Sequence, residues 1–178
     1  MGIAILKSES AEITFQLQVK ICYGGNIPSN KKSVKRRSWR PLNASVEMLG
    51  DRWSLLIIRD MMLRGFRSYK AFLESYEGIA TNILADRLRK LEAYGVIAPE
   101  RDPSDGRKVI YRLTAKGIGL TPVMSEMVLW AAAHEDTGNE ALVKEIQKDK
   151  EGFIAAVREH WAASSAAKRD ALKRDTAA

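Results

Sequence analysis

Between Asp51 and Thr114 the chain spells out three apolar helices in quick succession and then a short hairpin, and few folds accept that order. Asp51 is an N-cap for a helix bearing Trp53, Leu55, Leu56, Ile57, Ile58, Met61, Met62 and Leu63, which Gly65 ends. That helix is apolar on most sides, which predicts a place at the centre of a domain. Ser68 caps a short helix from Tyr69 to Ser75, with Phe72 and Leu73 inward, and Gly78 lies in the following turn. Thr81 or its neighbour opens the third helix, which runs to Tyr94 and stops at Gly95. Val96, Ile97 and Pro99 begin a strand. Val109, Tyr111 and Leu113 alternate in its return, and Asp105-Gly106 is expected to supply positive φ in the turn.

Helices followed by a hairpin with a cationic tip predict a mainly α fold with a small β-hairpin wing, the winged helix-turn-helix. In the 81–94 helix, Leu84, Leu88 and Leu91 form one stripe for packing. Thr81, Asn82, Ala85, Asp86, Arg89 and Lys90 form the candidate base-reading face. Asn matches adenine, Arg guanine and Asp a cytosine amine, while Ala85 permits close approach. Candidates for the DNA backbone are Arg67, Ser68, Tyr69 and Lys70, with Arg64 nearby, and Arg101, Ser104, Arg107 and Lys108 in the 99–113 wing. Taken alone, such a helix face is more often solvated, and Asp86–Lys90 has the spacing of an ordinary ion pair. Position between a short helix and a wing is what favours double-stranded DNA as the partner.

The flanks are less regular. Residues 13–23 alternate like a strand, and a run with Lys31, Lys32, Lys35, Arg36, Arg37 and Arg40 follows. Residues 1–39 form an N-terminal extension and basic linker, expected to be poorly ordered. The alternatives are a strand pairing with the wing or a second subunit, or a start set upstream of the true one. The domain proper spans 40–135. It opens on a helix from Pro41 in which Leu42, Val46 and Leu49 share a face, and closes on a long helix from Thr114, kinked at Pro122. Residues 136–178 hold a last helix, roughly 140–163, and a frayed tail.

Net charge is +7, which suits an anionic partner without naming it. The single cysteine, Cys22, makes no intramolecular disulfide, and no apolar run is long enough for a spanning helix. A cytoplasmic protein without membrane association is therefore expected. Two histidines, His134 and His160, on separate helices and without metal spacing, phosphate loop or nucleophile elbow, argue against an enzyme, a metal site or a cofactor.

Several motifs carry a family resemblance. Arg40-Pro41 followed by Gly50-Asp51-Arg52-Trp53-Ser54-Leu55-Leu56 resembles the opening of HxlR-type regulators. The run 78–92 is similar to that family's recognition helix, and Tyr111-Arg112-Leu113-Thr114-Ala115-Lys116-Gly117 resembles its close. The resemblance implies a homodimeric winged-helix transcription factor joined through its first and long C-terminal helices, with Val123, Met124, Met127 and Trp130 at the interface. Those four would otherwise be intramolecular core. Where some members carry a sensor cysteine before the proline, this chain has Arg40. Sensing by that thiol is therefore not expected, and any small-molecule effector is unknown. The competing function is a winged-helix adaptor that binds protein and no specific DNA.

Overall fold

The computed structural model describes residues 40–102 and 105–175, with side chains to Ser164. The strand pattern at 13–23 and the basic linker lie outside the described residues. The elements are α1 (Pro41–Leu49), α2 (Arg52–Leu63), α3 (Tyr69–Leu73), α4 (Thr81–Ala93), β1 (Ile97–Arg101), β2 (Val109–Leu113), α5 (Ala115–Ile118), α6 (Thr121–His134), α7 (Glu140–Lys148) and α8 (Lys150–Asp175).

The core forms where the sequence stripes meet. Ile57, Ile58 and Met61 of α2 pack with Phe72 of α3 and with Leu84, Leu88 and Leu91 of α4. Val96, Ile97 and Leu113 close the cluster from the hairpin. β1 and β2 pair antiparallel, Ile97 opposite Leu113 and Arg101 opposite Val109. A single bridge between Ser68 and Ile110 adds the segment before α3 to the sheet edge, with the Tyr111 N–H donating to the Arg67 carbonyl at 2.8 Å.

The end of α4 shows why Gly95 follows Tyr94. Gly95 has φ 67°. Its N–H donates to the Glu92 carbonyl and the Val96 N–H to the Leu91 carbonyl, a Schellman closure in which buried Leu91 and Val96 complete the apolar contact. Thr114 then locks this turn to α5. Its hydroxyl donates to the Gly95 carbonyl at 2.7 Å and accepts from the Gly117 N–H at 3.1 Å. At Gly117 a Cβ would collide with the Val96 carbonyl oxygen, so only glycine lets α5 approach the end of α4. Gly117→Ala is expected to lower stability by about 1–3 kcal/mol, as for overpacking of a tight core. An unchanged thermal midpoint would show that this approach is not tight.

Four expectations need correction. The 114–134 segment is two helices, not one kinked helix. Thr114 caps only α5, and Pro122 lies in the first turn of α6, where its missing N–H is no loss. The last helix is likewise divided at Asp149, whose carboxylate accepts the Gly152 N–H at 2.8 Å and starts α8. The backbone of α8 stays helical to Asp175, where a frayed tail from about residue 163 was expected. The hairpin turn does not use positive φ at Gly106. Asp105 closes it instead: its carbonyl accepts from the Lys108 N–H and its carboxylate from the Arg107 N–H.

Candidate nucleic-acid interface

α4 is fixed at both ends and along one side. Leu84, Leu88 and Leu91 are 0–1 % exposed and hold it on α2. At its start the Tyr69 hydroxyl donates to the Thr81 carbonyl at 2.6 Å, so α3 sets the position of the first turn. Along its flank, Lys90 Nζ lies 2.9 Å from Asp51 Oδ2 and Arg87 Nε 3.3 Å from Asp51 Oδ1. Asp51 thus does two things at once. It caps α2 by accepting the Ser54 N–H (2.9 Å) and hydroxyl (2.7 Å), and it ties α2 to α4. Burial pushes the Asp51 carboxyl up, but the hydrogen bonds from Ser54 and Lys90 outweigh it and hold the group below the usual aspartate range.

What remains on the outer face of α4 is Thr81, Asn82, Asp86 and Arg89, all exposed, with Ala85 half-buried between them. The Arg89 side chain is 75 % exposed and rests loosely on its own helix, Nε donating to the Ala85 carbonyl at 3.3 Å with Asp86 at 3.9 Å. Lys90 does not join this face or pair with Asp86. Its neighbour Arg87 contacts Asp86 instead, at 3.5 Å, and bridges to Asp51.

The backbone candidates are dispersed. Ser68 caps α3 through the Ala71 N–H, and Tyr69 is engaged with Thr81. Lys70 is exposed beside Glu74, 3.5 Å away. Arg64 turns back to the buried Asp60 at 3.5 Å, and Arg67 borders a cavity behind the sheet. In the wing, Arg101 donates to the Gly106 carbonyl at 2.7 Å and stiffens the tip. Arg107 and Lys108 project from it, 95 % and 69 % exposed, around Asp105. The hydrogen bond from the Arg107 N–H, helped by the Arg107 side chain and Lys108, outweighs desolvation and keeps the Asp105 carboxyl below its ordinary range. Ser104 lies outside the described residues.

A cluster that the sequence did not signal supports the turn between α3 and α4. Asp60 is 3 % exposed, accepts the Ser75 hydroxyl at 3.1 Å and pairs with Arg59 at 2.8 Å. Arg59 also meets Glu77 at 2.9 Å, and Arg52 reaches Glu77 from the other side at 3.4 Å. The hydrogen bond from Arg59 holds Glu77 below the ordinary glutamate range. Its only hint was the run of charges inside an apolar helix.

α6 has inverted polarity. Its buried residues are Thr121 and Ser125, whose hydroxyls bond back to the Ile118 and Thr121 carbonyls. Val123, Met127 and Trp130 are 48 %, 45 % and 62 % exposed, while Met124 is half-buried. On α1, Leu42 and Val46 are 75 % and 58 % exposed, and Met48 is the residue that enters the core. The 42/46 face therefore points away from the protomer's own core.

An exposed polar helix face beside a cationic hairpin is the geometry of a DNA reader, and comparison with known proteins agrees with it. Residues 48–139, just over half of the chain, match the HxlR-like helix-turn-helix family model. The chain belongs to the HxlR-like helix-turn-helix family. It is 36 % identical over 90 residues to the HTH-type transcriptional regulator YodB of Bacillus subtilis, covering 51 % of this chain and 80 % of YodB. To the HTH-type transcriptional regulator sll1512 of Synechocystis it is 34 % identical over 87 residues, 49 % of this chain and 64 % of that protein. The crystal structure of PA1607, a candidate transcription factor, superposes with a TM-score of 0.53 at 33 % identity, covering 58 % of this chain and 72 % of PA1607. The HxlR-like chain is accordingly a DNA-binding transcriptional regulator with a winged-helix fold. Among its described residues no helix is long and apolar enough to cross a membrane.

Proposed function

We propose that this HxlR-like regulator acts in the cytoplasm as a homodimer, with α4 in the major groove and the β1–β2 wing on the DNA backbone. The observation that carries the reading is the division of α4 into a fully buried leucine stripe and an exposed face of Thr81, Asn82, Asp86 and Arg89. Asn82 and Arg89 are the base readers, Ala85 allows the approach, and Thr81 stands at the helix start where phosphate is favoured. Lys90 serves the site indirectly, by orienting α4 through Asp51. Lys70, Arg101, Arg107 and Lys108 are the phosphate contacts. Dimerisation is supported by two apolar faces, on α1 and α6, that are exposed among the described residues.

The test is binding of purified protein to DNA flanking its own gene at two salt concentrations, read by fluorescence anisotropy. Arg89→Ala is expected to cost about 1–3 kcal/mol and to relax sequence choice. Arg107→Ala should weaken all sequences alike and lower the salt slope by about 0.9. Equal affinity of the wild type for random DNA would remove the local-regulator reading, and an unaffected Arg89→Ala would remove the base-reading assignment.

A further inference from the structure

Behind the wing lies a cavity of about 590 Å³ between the end of α2, the strand β2 and the helices α7 and α8. Close-packed interiors leave few voids larger than a water molecule, whereas a space of this size falls within the roughly 300–1,000 Å³ of small-molecule sites. Met61, Met62 and Phe66 form one wall, at the end of α2 and just beyond it. Leu142, Phe153 and Trp161 form the other, on helices that lie after residues 48–139 and so outside the stretch that matches the family model. The second wall is an addition to the winged domain.

Most polar groups on the lining are already engaged by the protein. Trp161 Nε1 donates to the Leu113 carbonyl at 2.8 Å, and the Tyr111 N–H to the Arg67 carbonyl at 2.8 Å. Arg112 donates to Ser164 Oγ at 2.9 Å and pairs with Glu100 at 3.8 Å. The Ser164 hydroxyl donates in turn to the Trp161 carbonyl at 2.9 Å. Arg64 is turned to Asp60 at 3.5 Å. Of the other ionisable groups, Arg67 and Glu145 are opposite in sign, and His160 is exposed, as Glu145 is. What the two walls offer an occupant is thioether and ring surface, which favours a flat aromatic body by dispersion and edge contacts.

We infer that this cavity binds an uncharged aromatic molecule, its ring between Met62 and Phe66 on one wall and Phe153 and Trp161 on the other. Such an occupant covers apolar surface without desolvating a charge of its own. It would touch two elements that position the DNA-binding parts. Phe66 meets the buried Phe72 of α3 edge-on, ring centroids 6.2 Å apart, and α3 sets the first turn of α4 through Tyr69. Trp161 is hydrogen-bonded to the end of β2, the returning strand of the wing. Binding stands on the cavity alone, whereas its effect on DNA rests on the DNA-binding reading above.

The probe is 2-naphthalenemethanol, titrated calorimetrically into the full chain without DNA, with 2-naphthoate as its charged counterpart. The alcohol is expected to bind as one molecule per chain, and the acid no more tightly. Ala156→Phe, which adds a ring to the lining without removing a charge, should weaken the alcohol at least tenfold. Phe153→Ala, which takes a ring out of the wall, should weaken it at least fivefold. The inference is overturned if the alcohol does not bind, if the acid binds more tightly than the alcohol, or if a folded Ala156→Phe protein binds the alcohol like the wild type. Should Phe153→Ala fail to fold, Ala156→Phe decides, because Ala156 is exposed and tolerates a larger side chain. Saturating alcohol is then expected to change DNA affinity at least fivefold. No change there, with the alcohol bound, would reject the coupling and leave the site standing.

Discussion

Trp130→Glu is expected to leave the protein a monomer of 19.9 kDa by light scattering, with the wild type expected at twice that mass on the proposed dimer, and to lower operator affinity about a hundredfold or more. α6 turns hydroxyls inward and apolar side chains outward, the reverse of a helix finished by its own domain. Trp130 is the largest of the outward residues, and His134 holds it ready. The two rings stack with centroids 5.0 Å apart, and His134 Nδ1 donates to the Trp130 carbonyl at 2.8 Å. A carboxylate in a dry interface is unpaired on both copies of a two-fold assembly, so its desolvation is counted twice. Each protomer would then grip one half-site without its partner, and the tethering that makes the second grip intramolecular is lost. Because Trp130 is exposed in the protomer, the substitution leaves the fold intact, which circular dichroism checks. A dimeric Trp130→Glu protein, or a monomeric wild type, would overturn the proposed interface.

The site was partly legible in the sequence because its inner half is written in local periodicity. Leu84, Leu88 and Leu91 predict the buried stripe, and the exposed residues of α4 follow from it by rotation. Caps at Asp51, Ser68 and Thr114 are likewise local signals, and each accepts the backbone N–H expected of it. Contacts made across the fold left no such trace. Lys90 is four residues from Asp86 and 39 from Asp51, yet the distant carboxylate holds it, because burying α4 against α2 brings Asp51 to its flank. Arg67 looked like a neighbour of the DNA-facing loop, but strand-like pairing with Tyr111 brings it to the cavity instead. The breaks at Gly119–Leu120 and Asp149 fail differently. Their cues, Pro122 and Asp149, were present, but a proline within a periodic run fits a kink as well as a new first turn.

Asp51→Ala should lower stability by about 2–4 kcal/mol, the sum of several losses around one carboxylate. The N-cap of α2 contributes about 1 kcal/mol. Ser54, 0 % exposed, would keep a buried hydroxyl without its acceptor, costing about 1–3 kcal/mol. Lys90 and Arg87 would lose a shared counter-charge, a smaller contribution because both retain access to water. For a chain of this size the thermal midpoint should fall by roughly 5–15 °C. Asp51→Asn separates the terms, since asparagine still caps but cannot pair with Lys90, and about half of the loss should return. Acid titration supplies the second readout. The folded carboxyl titrates below its unfolded value, so its contribution is complete above the unfolded pKa near 3.9 and disappears as pH falls through the lower folded value. The stability difference between wild type and Asp51→Asn should therefore be constant at neutral pH and shrink below about pH 4. A difference that persists unchanged to pH 2 would mean that Asp51 acts by packing alone, and that the link from α2 to α4 is not electrostatic.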